Sequence, residues 1–309
     1  KFFPVSNRRR RRRRRSQCLL IKKGRALCRW SWCRQIITIV QRRWMLIRQS
    51  MKEPRMDAYA SDEIQPFEQA VDYYQYRFSS SACHSRYYED LLRKRLLLEK
   101  EIVLNNLHES QLNFLQRLRT SGWICFAREP CRANETVVRE FYANLSEVDF
   151  KNSVVTVRGK VVDFGPEAIN RVHGLLDHDS ELFRAQDYAS GEWLAAKLCP
   201  DKNVTLAVTK KGINVKEFTA EARNWAKVVC NRVSPSTNKF YVSVWRAQII
   251  ACILDDIPVN VGYVINLELK ELKQKPTSLL PFPSLITELC NLAGVEVRAE
   301  DMWVNPDEW

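Results

Sequence analysis

Asp255 and Asp256 come nearest to a reaction centre, since adjacent carboxylates can hold two metal ions for phosphoryl transfer. The polymerase pattern wants a Tyr two residues ahead of the first Asp, and Ile253 stands there instead. Arg246 to Leu254 also reads as a helix rather than a hairpin strand, and carboxylates at such a helix end, ahead of Pro258, are ordinarily solvated. Cys83-His84 is the one adjacent Cys/His pair. A zinc knuckle needs four ligands closing tetrahedrally, two of them cysteines three apart, and no two of the ten Cys have that spacing. Cys83 is therefore expected as a buried thiol. His173 and His178 could form a base or ligand pair, but His173 falls at a predicted helix C-terminus, where a cation simply suits the dipole.

Other chemistries lack their residues altogether. Neither Asp-Thr-Gly nor Asp-Ser-Gly occurs, so the paired loops of an aspartic protease are missing. Phosphate loops of the G-x-x-x-x-G-K-[ST] and G-x-G-x-x-G types are absent from a chain with nine Gly. Among 36 acidic residues a transposase-like carboxylate triple can be picked by chance, so spacing selects none. No catalytic residue, metal ligand or cofactor is assigned on these grounds.

Charge is distributed unevenly. The first 50 residues carry 17 of the 49 cations and none of the 36 anions, including the run Arg8, Arg9, Arg10, Arg11, Arg12, Arg13, Arg14 and Arg15. Residues 51 to 309 thus hold 32 cations against 36 anions, a net charge of −4, and the pI of about 9.3 belongs to the tail. Eight adjacent guanidinium groups repel one another and bury no apolar area, so residues 1 to 50 are expected to be disordered. Two readings stay open for them: a nuclear-import or non-specific nucleic-acid-binding arm, or sequence lying upstream of a start at Met51 or Met56. Ile36 to Ile47 would form a short basic amphipathic helix in the first reading.

With 45% apolar residues, nine Trp and 13 Phe, the chain can fill a sizeable core. No run of about 18 uncharged apolar residues exists, and Cys18 to Ile21 is too short for a signal-peptide core, so neither a membrane partner nor secretion is expected. Scattered cysteines without a C-x-x-C unit suit reduced thiols inside a cell, with the nucleus suggested by the arginine run. Asn134-Glu-Thr, Asn144-Leu-Ser and Asn203-Val-Thr match the glycosylation sequon, a pattern short enough to arise by chance.

The elements follow from periodicity and punctuation. Residues 51 to 85 read as a linker. A long helix free of Gly and Pro is expected over 86 to 120, with Glu89–Arg93 and Asp90–Lys94 as i,i+4 pairs. Its Leu104, Leu107, Gln111, Phe114 and Leu118 form a two-heptad seam suited to its own domain or to a protein partner or second copy. Residues 121 to 300 read as a helical domain. Asn134 can cap a helix with Val138, Phe141 and Leu145 on one face. Arg158-Gly159-Lys160 can turn a hairpin between β-rich runs over Val154 to Phe164, and Pro166 suits the first turn of a helix ending at Gly174. Further helices are expected over Ala185 to Leu198, Thr219 to Val233, Tyr241 to Leu254, Val259 to Lys273 and Ser284 to Ala293. Trp193, Trp225 and Trp245 fall on these helices as core rather than base-stacking residues, and 301 to 309 read as a tail. The sum is a mainly α fold: a helical domain with one small β-hairpin, preceded by a long helix and a disordered basic N-terminal tail.

Several blocks occur in a telling order: Glu135-Thr-Val-Val-Arg-Glu-Phe-Tyr-Ala-Asn-Leu145, Val157-Arg-Gly-Lys160, Trp225-Ala-Lys-Val-Val, Trp245-Arg-Ala, Leu280-Pro-Phe-Pro-Ser-Leu-Ile-Thr-Glu-Leu-Cys290 and Gly294-Val295. In them the chain resembles, over roughly residues 110 to 300, the Putative plant transposon protein domain family, found in plant genomes in association with retrotransposon-derived sequences. The resemblance implies a retrotransposon-derived origin and no particular catalytic residues. The expected function is a non-enzymatic interaction domain, with nucleic acid bound through the basic arm alone. A nucleic-acid-processing mobile-element enzyme and a degenerate reading frame are the alternatives.

Overall fold

The computed structural model describes residues 76–102, 112–148, 151–179, 191–200, 212–274 and 279–306. The chain divides into a unit Lys1–Ile64 and a unit Gln65–Trp309, and all described residues lie in the second. The expectations for residues 1 to 50, for Leu104, Leu107 and Gln111, and for the start of the Ala185 helix fall outside the described residues.

Nine α-helices occur among the described residues: α1 (Ser81–Glu89), α2 (Leu112–Thr120), α3 (Glu135–Asn144), α4 (Pro166–His173), α5 (Gly191–Leu198), α6 (Ala220–Val228), α7 (Val244–Leu254), α8 (Val261–Gln274) and α9 (Pro283–Leu292). Eight short strands join them: β1 (Arg95–Leu97), β2 (Ala133–Asn134), β3 (Val154–Val157), β4 (Lys160–Asp163), β5 (Ile213–Asn214), β6 (Tyr241–Val242), β7 (Leu279–Pro281) and β8 (Trp303–Val304). They pair as β1–β7 (parallel), β2–β8, β3–β4 and β5–β6 (all antiparallel). The fold is mainly helical, with four two-stranded ladders among the described residues, of which β3–β4 joins strands two residues apart and the other three join strands distant in sequence.

Local chemistry sets most helix starts. Side-chain oxygens of Ser80, Asn134, Thr219, Ser243 and Asn260 accept from the amides of Cys83, Val137, Ala222, Arg246 and Tyr263, each satisfying an orphan donor of the first turn. Pro166 opens α4 and Gly174, at φ 63°, closes it. After α6 the chain continues as a π-helical turn, Val229–Val233.

The long helix expected over 86 to 120 is not what forms. α1 ends at Glu89, a 3-10 turn covers Leu91–Arg93, and β1 pairs in register with β7. Freedom from Gly and Pro permits a helix without requiring one, and here tertiary partners take the backbone groups. Arg139, buried on α3, donates to the carbonyls of Leu91 (3.0 Å) and Lys94 (3.1 Å), and β7 supplies the ladder for the next three residues. The Asp90–Lys94 ion pair survives at 2.5 Å without an α-helix beneath it. Phe114 and Leu118 of the proposed seam are buried, with the Phe114 ring edge-on to Trp225.

Two flanking segments are also structural. Phe78 and Cys83, within the expected linker, are buried. In the expected tail Asp301 is buried and β8 pairs with β2, where the Glu135 amide donates to the Met302 carbonyl at 2.8 Å. Neither segment carries a long apolar period, so its burial comes from contacts distant in sequence.

The core runs between these elements. Trp225 is fully buried, its ring 5.0 Å from Phe114 and 5.5 Å from Trp123. Trp245 and Trp193 are half-buried at its margin. α8 lies closely along α4 because Gly262 faces it: a Cβ there would collide with the Pro166 carbonyl and press on Asn170. Asn170 Oδ1 accepts from the Gly262 amide (2.8 Å), and its Nδ2 donates to Asn260 Oδ1 (2.9 Å).

Candidate functional site

The most concentrated chemistry among the described residues is two buried clusters of charge. The first centres on Arg158. It and Gly159 have φ of 47° and 68° and connect β3 to β4 in two residues, the pattern a type I′ turn needs. Arg158 Nε donates to Glu140 Oε2 (2.8 Å) and Nη2 to Glu140 Oε1 (3.0 Å). The same guanidinium reaches Asp301 Oδ1 (2.6 Å), Asp301 Oδ2 (2.9 Å) and the Glu296 carbonyl (2.7 Å). Arg77 Nε adds a bond to Glu140 at 2.7 Å, and Asn134 Nδ2 and the Arg298 amide each add one to Asp301. Burial opposes the charge on Arg158, but hydrogen bonds with Asp301 and Glu140 outweigh it and raise its pKa. Burial likewise opposes ionisation of Asp301, yet bonds from Arg158, Arg298 and Asn134 hold its carboxyl below the ordinary range. Such a matched set joins four distant segments: the chain before α1, α3, the hairpin and the stretch between α9 and β8.

The second cluster lies at the start of α9. Phe282 precedes Pro283, which disfavours the right-handed helical region for it. It adopts φ 57° and offers no side-chain cap. Glu99 caps in its place, accepting from the amides of Ser284 (3.1 Å) and Leu285 (3.0 Å), where a carboxylate also suits the positive end of the dipole. Close by are Glu288, Cys131 and Arg232. Desolvation, with Glu99 adding like charge, pushes Glu288 up to about 7 despite its bond with Cys131 and the nearness of Arg232. Burial followed by the charges of Glu288 and Glu99 pushes the Cys131 thiol far up, so it is an inert thiol rather than a nucleophile. Arg232 stacks on Phe126 at 5.1 Å and donates to the Arg128 carbonyl at 3.3 Å; burial lowers its pKa, and its Nε has no hydrogen-bond partner among the described residues.

His173 is not the dipole-matched cation expected of it. Its ring sits edge-on to Phe126 (4.8 Å), and desolvation, then the charge of Arg232, lowers it to about 3, so it is neutral at ordinary pH. It does not meet His178, whose carbonyl accepts from Asn260. Cys83 is a buried thiol near Ser146 Oγ (3.6 Å), while the His84 ring packs on Tyr88 (4.6 Å).

Asp255 and Asp256 end α7, and their carboxylates are not bare. Lys197 of α5 pairs with Asp255 and Arg117 of α2 with Asp256; Arg117 also reaches Glu221 of α6 at 3.1 Å. Among the described residues no group of three or more His, Cys, Asp or Glu is placed to hold a metal ion, all seven cysteines are free thiols, and no helix is long and apolar enough to cross a membrane. Asn134 and Asn144 of the sequons are buried and hydrogen bonded. Arg8 to Arg15 lie outside the described residues.

Sequence reasoning placed Arg158 in a turn and Glu140 in a helix without joining them, and it assigned no role to Glu99 or Glu288. The one available signal was Arg139-Glu140 within a helix whose other faces are apolar. A charged pair there must find buried partners.

The blocks singled out in the sequence meet in space. Glu140 belongs to the Glu135–Leu145 block, Arg158 to the Val157–Lys160 block, and Ser284, Leu285 and Thr287 to the Leu280–Cys290 block, where Thr287 Oγ1 accepts from the Asn134 amide at 2.9 Å. Charged contacts thus tie separate parts of one helical domain together. The family model described as "Putative plant retrotransposon-related domain" matches residues 119–296, more than half of the chain, and the chain belongs to that family. No curated protein and no solved structure matches it.

Proposed function

We propose that this retrotransposon-related protein is a non-enzymatic association protein. Its helical domain engages a partner, and Arg8 to Arg15 supply non-specific nucleic-acid affinity and a route to the nucleus. The observation that carries this reading is the use made of Asp255 and Asp256. A two-metal centre needs carboxylates free to hold metal ions, whereas these two are each paired with a cation, Lys197 and Arg117, on different helices. Bridging α7 to α5 and α2 is a structural use of the acids. The test is a magnesium- and manganese-dependent nuclease and strand-transfer assay on the full chain, with Asp255→Asn and Asp256→Asn alongside. The expected result is no turnover by any of the three and a lowered Tm for the variants. Metal-dependent cleavage that disappears in either variant would establish the enzymatic alternative.

A further inference from the structure

The tip of the β5–β6 ladder has the chemistry of a contact point. Register pairs Asn214 with Tyr241, and the Val215 amide donates to the Phe240 carbonyl at 2.9 Å where a 3-10 turn, Val215–Glu217, takes over from β5, so Lys216 and Lys239 each sit one residue beyond that bond. Both lysines are exposed, and neither side chain has an ion-pair partner among the described residues. Two exposed cations beyond one end of a ladder suit an anion from outside. The adjoining acid, Glu217, is partly buried and has an interaction of its own. Phe240, beside Lys239, is 65% exposed.

This ring is presented by a built turn. Ser236 Oγ accepts from the Asn238 amide, and Asn238 Oδ1 accepts from the amides of both Phe240 and Tyr241, each at 3.0 Å. Arg246 pins the base of the turn through the Ser234 and Pro235 carbonyls. At the other end Gly212, with φ 104°, lets β5 approach the Val242 carbonyl where any Cβ would collide. Local charge is also unlike the whole: from Asn231 to Leu254 the ionised residues are Arg232, Lys239 and Arg246, with no acid.

We propose that the β5–β6 tip binds single-stranded nucleic acid, Lys216 and Lys239 each neutralising a backbone phosphate and Phe240 stacking on one base. A single strand offers phosphate spacing and an open π-face together; an acidic peptide would satisfy the lysines alone. The inference rests on the association reading above and names a partner class for the folded domain. Two charges and one ring make a weak contact, and the arginine arm on the same chain raises its effective concentration.

The experiment uses the full chain with all 17 cations of residues 1 to 50 replaced by Ser, so that the arm does not mask the tip, and a fluorescent oligothymidylate at low salt. Expected are measurable binding with a log–log salt slope of about −1.4, from two phosphates on a single strand, and an affinity loss of about tenfold in Phe240→Ala. A Lys216→Ser, Lys239→Ser pair should flatten the slope towards zero. All three side chains are exposed, so the variants should keep the parent Tm, and circular dichroism checks this. Binding unchanged in these variants overturns the proposal. So does absence of oligothymidylate binding, including the case where polyglutamate binds instead, and that outcome leaves the association reading intact; nuclease activity would overturn the association reading separately.

Discussion

Arg158 occupies a turn position where glycine or asparagine is the easier choice, since a left-handed backbone costs an ordinary residue about 1 to 2 kcal/mol. The cost is borne because only an arginine fork there serves Glu140 and Asp301 at once. Arg158→Ala should destabilise the protein by about 3 to 5 kcal/mol, because it leaves buried carboxylates without their cation; chemical denaturation measures this, and a loss under 1 kcal/mol would contradict the role. Glu288 gives a pH prediction. Its folded value, about 7, lies above its ordinary 4.5, so its contribution is fully present below about 4.5 and is lost as pH rises through 7. Relative to Glu288→Gln, the parent should lose at most about 1.4 kcal/mol per pH unit across that window, less where solvent reaches the side chain. Parallel stability curves for the two proteins would rule it out. Neither role was legible in sequence, because a charged residue shows its partner only after the chain has closed.

At the scale of elements, legibility followed the range of the determining interaction. Asn134, Pro166, Gly174 and Ser243 act within one turn of themselves, and helices begin or end at them. The stretch after Glu89 depends on Arg139 and β7, some 45 and 184 residues away, and no local period could announce it. Gly262 belongs to the same class: its lack of a Cβ matters only because α4 lies against it. Gly262→Ala should therefore lower Tm markedly although alanine favours helices, and a neutral or raised Tm would show that α4 and α8 can part without penalty. Trp225 was legible as core from the apolar face of its helix. Trp225→Ala should cost about 3 to 5 kcal/mol, and full quenching of its fluorescence by aqueous iodide would contradict its burial.

Over the whole molecule, charge is segregated along the chain. The basic residues 1 to 50, with their run Arg8–Arg15, and the net charge of −4 over residues 51 to 309 were readable from composition, as was the family blocks' order; where those blocks meet was not. Phosphate should be drawn to the run and repelled by most of the rest, the lysine tip apart. The most direct test is the salt dependence of binding to a random-sequence duplex, for the full chain and for the chain with all 17 cations of residues 1 to 50 replaced by Ser. Eight phosphate contacts predict a log–log slope of about −7 for the parent, without sequence preference, and near-complete loss of affinity and slope in the variant. A variant that kept tight, steeply salt-dependent or sequence-selective duplex binding would contradict the account and place nucleic-acid recognition in the helical domain itself.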